Sequence, residues 1–154
     1  MVSEASSGHE ALRELQRAQS SSNPYSIVVM DYLMGSINGL QTVQKIKGLL
    51  NPEQMPDIII LSSSDDTDTV SWCRENSACY YLMKPMKKDE LKEAIIAVSS
   101  DKRRKKSDSS ASGGVMQTGL NVLVAEDNEI NSFLIKSMLT TKYGCTVDVA
   151  VNIS

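Results

Sequence analysis

Histidine is almost absent from this chain of 154 residues; His9 is the only one. That excludes a His-rich metal centre. It also excludes a Ser-His or Cys-His pair unless His9 is the base, and its place at a helix start argues against that. Cysteine is scarce as well. Cys73, Cys79 and Cys145 are odd in number and lack metal-ligand spacing, so they read as buried or incidental thiols of a reducing compartment. One Trp, one Phe and five Tyr leave the core to Ile, Leu, Val, Met and Ala. No apolar run approaches the roughly 18 residues of a membrane span, so no membrane segment is expected. The start "MVSEASSGHEAL" has no basic cluster and no apolar stretch, so no secretory signal is expected either. A net charge of −3 offers no broad basic surface, and no nucleic-acid partner is expected.

What is present is the mix of a soluble globular domain, with 41% hydrophobic and 23% charged residues. In "ASSGHEALRELQRAQ", Ser7 precedes Glu10 at capping-box spacing, and Ala11, Leu12, Leu15 and Ala18 share a helical face. "YSIVVMD" (25–31) is a continuous β-branched run, the mark of a strand buried on both faces, and it ends on Asp31. A turn-rich loop, 32–39, leads to a helix with Leu40, Val43, Ile46 and Leu50 on one stripe. "DIIILSS" (57–63) is a second buried strand, followed by a short polar helix. "ACYYLMKPM" (78–86) is a third strand stopped by Pro85, and Asp89 is placed to cap "ELKEAIIAV".

Residues 99–120 have the Ser, Gly and charge of a flexible linker. A fourth strand, "NVLVAED", follows. The next helix is expected to bury Ile130, Phe133, Leu134, Ser137 and Met138, with Gly144 as its C-cap, and "TVDVAV" closes the chain as a short strand. Apolar strands alternating with helices imply an α/β fold with a parallel sheet covered on both faces. Ligands of such sheets sit at the carboxyl ends of the strands.

Those ends carry Asp31, Ser62 with Ser63, Lys84, and Glu126 with Asp127. Two like charges about 4 Å apart at an effective dielectric near 20 cost roughly 4 kcal/mol. A hard divalent cation relieves such a cluster, and Mg²⁺ favours a few carboxylates together with phosphate oxygens. A carboxylate beside such a cation and a lysine can attack a phosphoryl group.

"VVMDYLMGSING", "PDIIILSSS", "YYLMKPM" and "NVLVAEDNEIN" together make the chain similar to the receiver domains of two-component response regulators and hybrid histidine kinases. The resemblance covers nearly everything except the linker. It implies a flavodoxin-like, doubly wound parallel sheet and a phosphoacceptor in a His-Asp phosphorelay. Asp31 would take phosphate from a phosphohistidine donor, a histidine kinase or histidine phosphotransfer protein. Asp31, Glu126, Asp127 and the backbone carbonyl of Leu33 would hold Mg²⁺. Ser62 and Lys84 would contact the phosphoryl group, and Tyr81 would be the aromatic switch. A cytoplasmic location follows, while the basic run 102–106 admits a nuclear-import reading beside the plainer one of a solvated linker.

Two departures stand out. Gly35 occupies the position where the family usually has proline, which is expected to loosen the loop beside Asp31. The strand order is also inverted, because the family's acidic-pair strand comes first and here it comes last. The chain is therefore read as residues 1–98, a receiver lacking its first strand and helix; a linker, 99–120; and residues 121–154, which supply them. "VSEAS" and "VDVAV" both look like the family's second strand, which favours a piece cut from a tandem of receivers over a tidy circular permutant. The lateral step to the missing slot is roughly 14 Å, and about 20 flexible residues reach roughly 25 Å. "NVLVAED" is thus expected to dock beside "YSIVVMD" within one chain, and exchange of the segment between two chains is the intermolecular version. "VSEA" and "TVDVAV" then compete for one edge slot, which the longer is expected to win. Two rival functions are a Mg²⁺-dependent aspartyl phosphatase, disfavoured because Leu33 stands where a second Asp would act as general acid, and a degenerate receiver that only binds partners.

Overall fold

The computed structural model describes residues 2–21, 24–35, 37–63, 67–75, 79–106 and 121–143. Five strands and five α-helices alternate in the order β1 (Val2–Ala5), α1 (Gly8–Gln19), β2 (Ile27–Asp31), α2 (Gly39–Leu49), β3 (Asp57–Ser62), α3 (Thr67–Glu75), β4 (Cys79–Met83), α4 (Lys88–Lys106), β5 (Val122–Ala125) and α5 (Glu129–Tyr143). A 3₁₀ turn, Pro52–Gln54, precedes β3. All strand pairs are parallel, and the spatial order is β1-β5-β2-β3-β4.

The last strand in sequence is therefore central in space, between the first and the second. Val124 of β5 is in register with Val29 of β2 on one side and Glu4 of β1 on the other. The expected docking of "NVLVAED" beside "YSIVVMD" is realised within one chain. Period-two alternation then divides the core. Val28, Met30, Ile58, Ile60 and Leu123 face α1 and α2 through Ala11, Leu15, Val43 and Ile46. Ile27, Val29, Ile59, Leu61, Val122 and Val124 face α4 and α5 through Leu91, Ile95, Ile135 and Leu139.

Local signals explain most helix starts. The Ser7 hydroxyl accepts from the Glu10 backbone N–H at 3.1 Å, but the Glu10 carboxylate accepts from the Ser6 N–H at 2.7 Å, one residue short of a true capping box. Asn38 and Gln41 form the complete box at α2, each bond 2.9 Å. At α4 the cap is not Asp89, which lies in the first turn; Glu90 reaches back to the Lys87 N–H at 3.2 Å. β4 ends at Met83 rather than running on to Met86.

Three further expectations are corrected. The edge slot beside β5 belongs to "VSEA", not to the longer "TVDVAV"; residues 146–151 lie outside the described residues. Side chains and tethering outweigh length here. β1 passes almost directly into α1, the Ala5 carbonyl accepts from the Glu126 N–H at 2.9 Å, and the Glu4 carboxylate holds the Lys136 ammonium at 2.9 Å and the Ser132 hydroxyl.

The buried face of α5 is Ser132, Ile135 and Leu139, while Ile130, Phe133 and Leu134 are 72%, 65% and 48% exposed. The partly polar stripe wins because Ser132 finds a half-buried partner in Glu4. Finally, α4 continues to Lys106, so the stretch read as linker from residue 99 begins as helix. Lys and Arg, which made it look like linker, are also good helix formers. The side chains of 99–106 and all of 107–120 are outside the described residues, as is the expected Gly144 cap.

The inserted strand and the helix face yield a paired expectation. Leu123→Ala, in fully buried β5, should cost about 2–5 kcal/mol. Phe133→Ala should change stability by no more than about 0.5 kcal/mol. Urea denaturation of both variants decides, and the opposite ranking would put the wrong face of α5 in the core.

Candidate functional site

Asp31 is the last residue of β2, Ser62 the last of β3, and Lys84 follows β4 by one residue. Glu126 and Asp127 follow β5. In a parallel sheet these all reach the same rim. Register places them closely: Asp31 pairs with Leu61, Ser62 with Met83, and the Lys84 N–H donates to the Ser62 carbonyl at 2.8 Å.

The side chains meet across the rim. The Lys84 ammonium lies 2.8 Å from a Glu126 carboxylate oxygen and 3.2 Å from Asp31 Oδ1. Asp31, Glu126 and Asp127 each offer an oxygen, all within 4.8 Å of one another. Asp31 and Glu126 are buried, and Asp127 is exposed. Three carboxylates and one ammonium leave two negative charges, which is the charge of one divalent cation. The charge and the all-oxygen chemistry of this donor set fit such an ion.

Burial pushes the Glu126 carboxyl above the ordinary carboxylate range. The Lys84 hydrogen bond and the Asn128 backbone N–H oppose that rise, and Asp31 reinforces it. For Lys84, burial works to lower its pKa, but the hydrogen bond to Glu126 and the fields of Asp31 and Glu126 outweigh it, and the ammonium is held more firmly than in free lysine. Both partners of one ion pair thus titrate high, for different reasons: desolvation dominates the acid, and surrounding negative charge dominates the base.

Leu33 stands two residues beyond Asp31 with an exposed side chain; only its backbone carbonyl bears on the metal expectation. Tyr81 pairs with Ile60 and packs partly buried against the α1–α2 side of the core. Ser62 is buried and Ser63 is exposed. Ser63 instead lines a pocket of about 370 Å³ with Lys84, Pro85, Met86, Leu134 and Met138, between the β4–α4 turn and α5.

Some supporting residues were not anticipated. Asn128 accepts from the Ile130 and Asn131 N–H groups at 2.9 and 3.1 Å, capping α5 and fixing the chain directly after the acidic pair. Its residue type was the available signal. Gly39, read only as a turn residue, is a close-approach position. A Cβ there would lie 3.1 Å from the Asp31 carbonyl oxygen and 3.2 Å from Tyr32 Cα, both backbone atoms. Its N–H donates to the Tyr32 carbonyl at 2.7 Å, so α2 begins against the end of the Asp31 strand. Gly35 has φ of 67°, which proline, locked near −65°, cannot adopt, so the loop takes a path closed to the residue the family usually has there.

The geometry is matched by kinship. The family model described as "Response regulator receiver domain" matches residues 1–96, from β1 into α4 but not β5 or α5. The "Probable C4-dicarboxylate response regulator DctR" of Bacillus subtilis is 26% identical over 91 residues, covering 59% of this chain and 37% of that protein. "Protein PilH" of Pseudomonas aeruginosa is 32% identical over 72 residues, covering 47% of this chain and 59% of PilH. The chain thus spans less than two thirds of the length of these relatives. A crystal structure of a two component response regulator from Cytophaga hutchinsonii superposes with a TM-score of 0.55 at 25% identity, over 61% of this chain and 72% of that one. With the family model matched over more than half its length, and a five-stranded parallel sheet that puts the acidic-pair strand back beside Asp31, this chain belongs to the response regulator receiver domain family.

Proposed function

We propose that the chain is the phosphoacceptor of a His-Asp phosphorelay, with Asp31 as nucleophile. The observation that carries this reading is the Lys84 ammonium held between Asp31 and Glu126, with Asp127 close by. An Asp31 carboxylate oxygen attacks the phosphorus of a phosphoimidazole donor. The P–N bond breaks, an acyl phosphate forms on Asp31, and the leaving imidazole takes up a proton. Lys84 would balance charge on the transferring oxygens, and Ser62, one residue past the position paired with Asp31, would hydrogen-bond another. Asp31, Glu126, Asp127 and the Leu33 carbonyl would hold Mg²⁺, which would supply charge neutralisation that one ammonium cannot. Tyr81 fills the switch role, moving with Ser62.

The donor protein would approach over the pocket beside Lys84 and the exposed Ile130, Phe133 and Leu134 of α5. No helix among the described residues is long and apolar enough to cross a membrane, and a cytoplasmic phosphodonor suits this reading. The apolar, exposed Leu33 offers no general acid for turnover, which disfavours a phosphatase.

Incubation with a small acyl phosphate and Mg²⁺ should give stoichiometric, hydroxylamine-labile phosphate on the wild-type chain and none on Asp31→Asn. Many turnovers per chain would instead support the phosphatase, and no label at all a degenerate, partner-binding receiver. Lys84→Ala should label at least about tenfold more slowly, the loss of one charge-stabilising contact.

Metal dependence carries its own sign. The Glu126 carboxyl keeps its proton in the folded chain over a pH range where the unfolded chain has lost it. The metal-free fold is therefore favoured by this group at low pH, and that contribution is lost as pH rises through the folded pKa. Mg²⁺ competes with that proton, so its stabilising effect should grow over the same rise. At neutral pH a hundredfold excess over Kd should add about 2–3 kcal/mol. Glu126→Gln should stabilise the metal-free protein at neutral pH and weaken Mg²⁺ binding. Thermal melts with and without Mg²⁺ across the acid-to-neutral range test both, and equal Mg²⁺ shifts at all pH values would count against the site.

A further inference from the structure

Asn128 stands where two demands meet. It directly follows Glu126 and Asp127, and α5 begins at the next residue. Its carbonyl accepts from the Ser132 N–H at 2.9 Å, the first bond of the helix ladder. Its side-chain oxygen accepts from the Ile130 and Asn131 N–H groups at 2.9 and 3.1 Å. Its own N–H donates to Glu126 Oε1 at 3.2 Å, while Glu126 Oε2 takes the Lys84 ammonium at 2.8 Å. One residue thus satisfies two first-turn donors of α5 and orients one acid of the cluster.

The two acids are held differently. Glu126 is buried, its N–H donates to the Ala5 carbonyl at 2.9 Å, and each of its carboxylate oxygens has a donor in place. Asp127 is exposed. The open N–H groups of a helix start favour an anionic acceptor, and Asp ranks with Asn as an N-cap. Asp127 is therefore a rival cap. Were α5 to start one residue earlier, residue 128 would become its first helical residue. The Asp127 carboxylate would then turn to the N–H groups of residues 129 and 130, and a carboxylate used there is withdrawn from Asp31 and Glu126. The identity of residue 128 decides between the two starts. Asn is strong as a cap and weak inside a helix, whereas Ala is the reverse.

We propose that Asn128 is a positioning residue of the cation site: by capping α5 with a neutral oxygen, it keeps the Asp127 carboxylate out of the helix start and beside Asp31 and Glu126. It acts through Asp127 and Glu126 and contributes no ligand of its own. Its effect on Mg²⁺ rests on the phosphoacceptor reading above; the competition for the helix start does not.

Full-length Asn128→Ala, Asn128→Ser and Ser7→Ala chains are titrated with MgCl₂ by calorimetry beside the wild type. Ser7 caps α1, accepting from the Glu10 N–H at 3.1 Å, so its loss is a matched cap deletion. Asn128→Ala should bind Mg²⁺ about tenfold more weakly, as is found for residues that orient metal ligands. Labelling by the small acyl phosphate should need correspondingly more Mg²⁺ for half its maximal rate. Asn128→Ser, which restores a neutral cap, should bind within about twofold of wild type. Ser7→Ala should lose folding stability and keep its Mg²⁺ affinity. Wild-type affinity in Asn128→Ala, or an equal loss in Ser7→Ala, would overturn the positioning role.

Urea denaturation without Mg²⁺ closes a cycle of Asn128→Ala, Asp127→Ala and the double variant. The double variant should lose more stability than the two single losses together, because Asp127 takes over the cap only when Asn128 is gone. Additive losses would overturn the competition. A wild-type chain that takes up no Mg²⁺ would defeat the cation reading and the positioning role with it, while the metal-free cycle still decides which residue holds the helix start.

Discussion

Everything at the carboxyl rim depends on β5 filling the slot between β1 and β2. Without it, β2 would present an open row of backbone donors and acceptors beside fully buried apolar side chains, a template for association with any other strand. With it, the Val28, Val29, Leu123 and Val124 side chains are wholly withdrawn from water on both faces of the sheet. The same insertion delivers Glu126 and Asp127 to Asp31. The strand pairing and the acidic cluster are thus one structural event, because register fixes Ala125 opposite Met30 and so sets how far past the sheet edge the two acids stand.

The cluster is an electrostatic liability that the fold accepts. Burying Glu126 beside Asp31 raises the cost of ionising it, and Lys84 offsets only part of that cost. A buried ion pair of this kind is weak evidence for stability. Three carboxylates against one ammonium leave the rim under-neutralised. The supporting contacts have the same logic. Asn128 caps α5 just after the acids, and Gly39 lets α2 start against the Asp31 carbonyl, so two helices brace the loops that carry the charge.

Much of this was legible in the sequence. Continuous β-branched runs gave β2, β3 and β5 because strands buried on both faces have no polar alternation to blur them. Asp31, Ser62, Glu126 and Asp127 drew notice because each ends or follows such a run, and Lys84 because it follows β4. The face of α5 was misread because two stripes of that helix have similar spacing, and the more apolar one is not the buried one. Ser132 became a core residue through its bond to Glu4, some 128 positions away, which no local pattern contains. The competition between "VSEA" and "TVDVAV" failed for a related reason. Strand length was the only visible criterion, while the outcome followed from tethering to α1 and from the Glu4–Lys136 pair.

Chain order sets what docking β5 costs. The loop-closure cost of bringing a strand back to its sheet grows slowly with the length of the connection, by about 0.6 kcal/mol per doubling. Burying Val122, Leu123 and Val124 returns roughly 1.5–3 kcal/mol each, an upper estimate. That return is of the same order as the charge repulsion the strand brings with it. In that regime the site and the fold are linked thermodynamically. A cation that binds the assembled cluster, and not the separated carboxylates, also holds β5 in place. Moving the central strand to the end of the sequence thus makes the integrity of this sheet answer to the charge on its own rim.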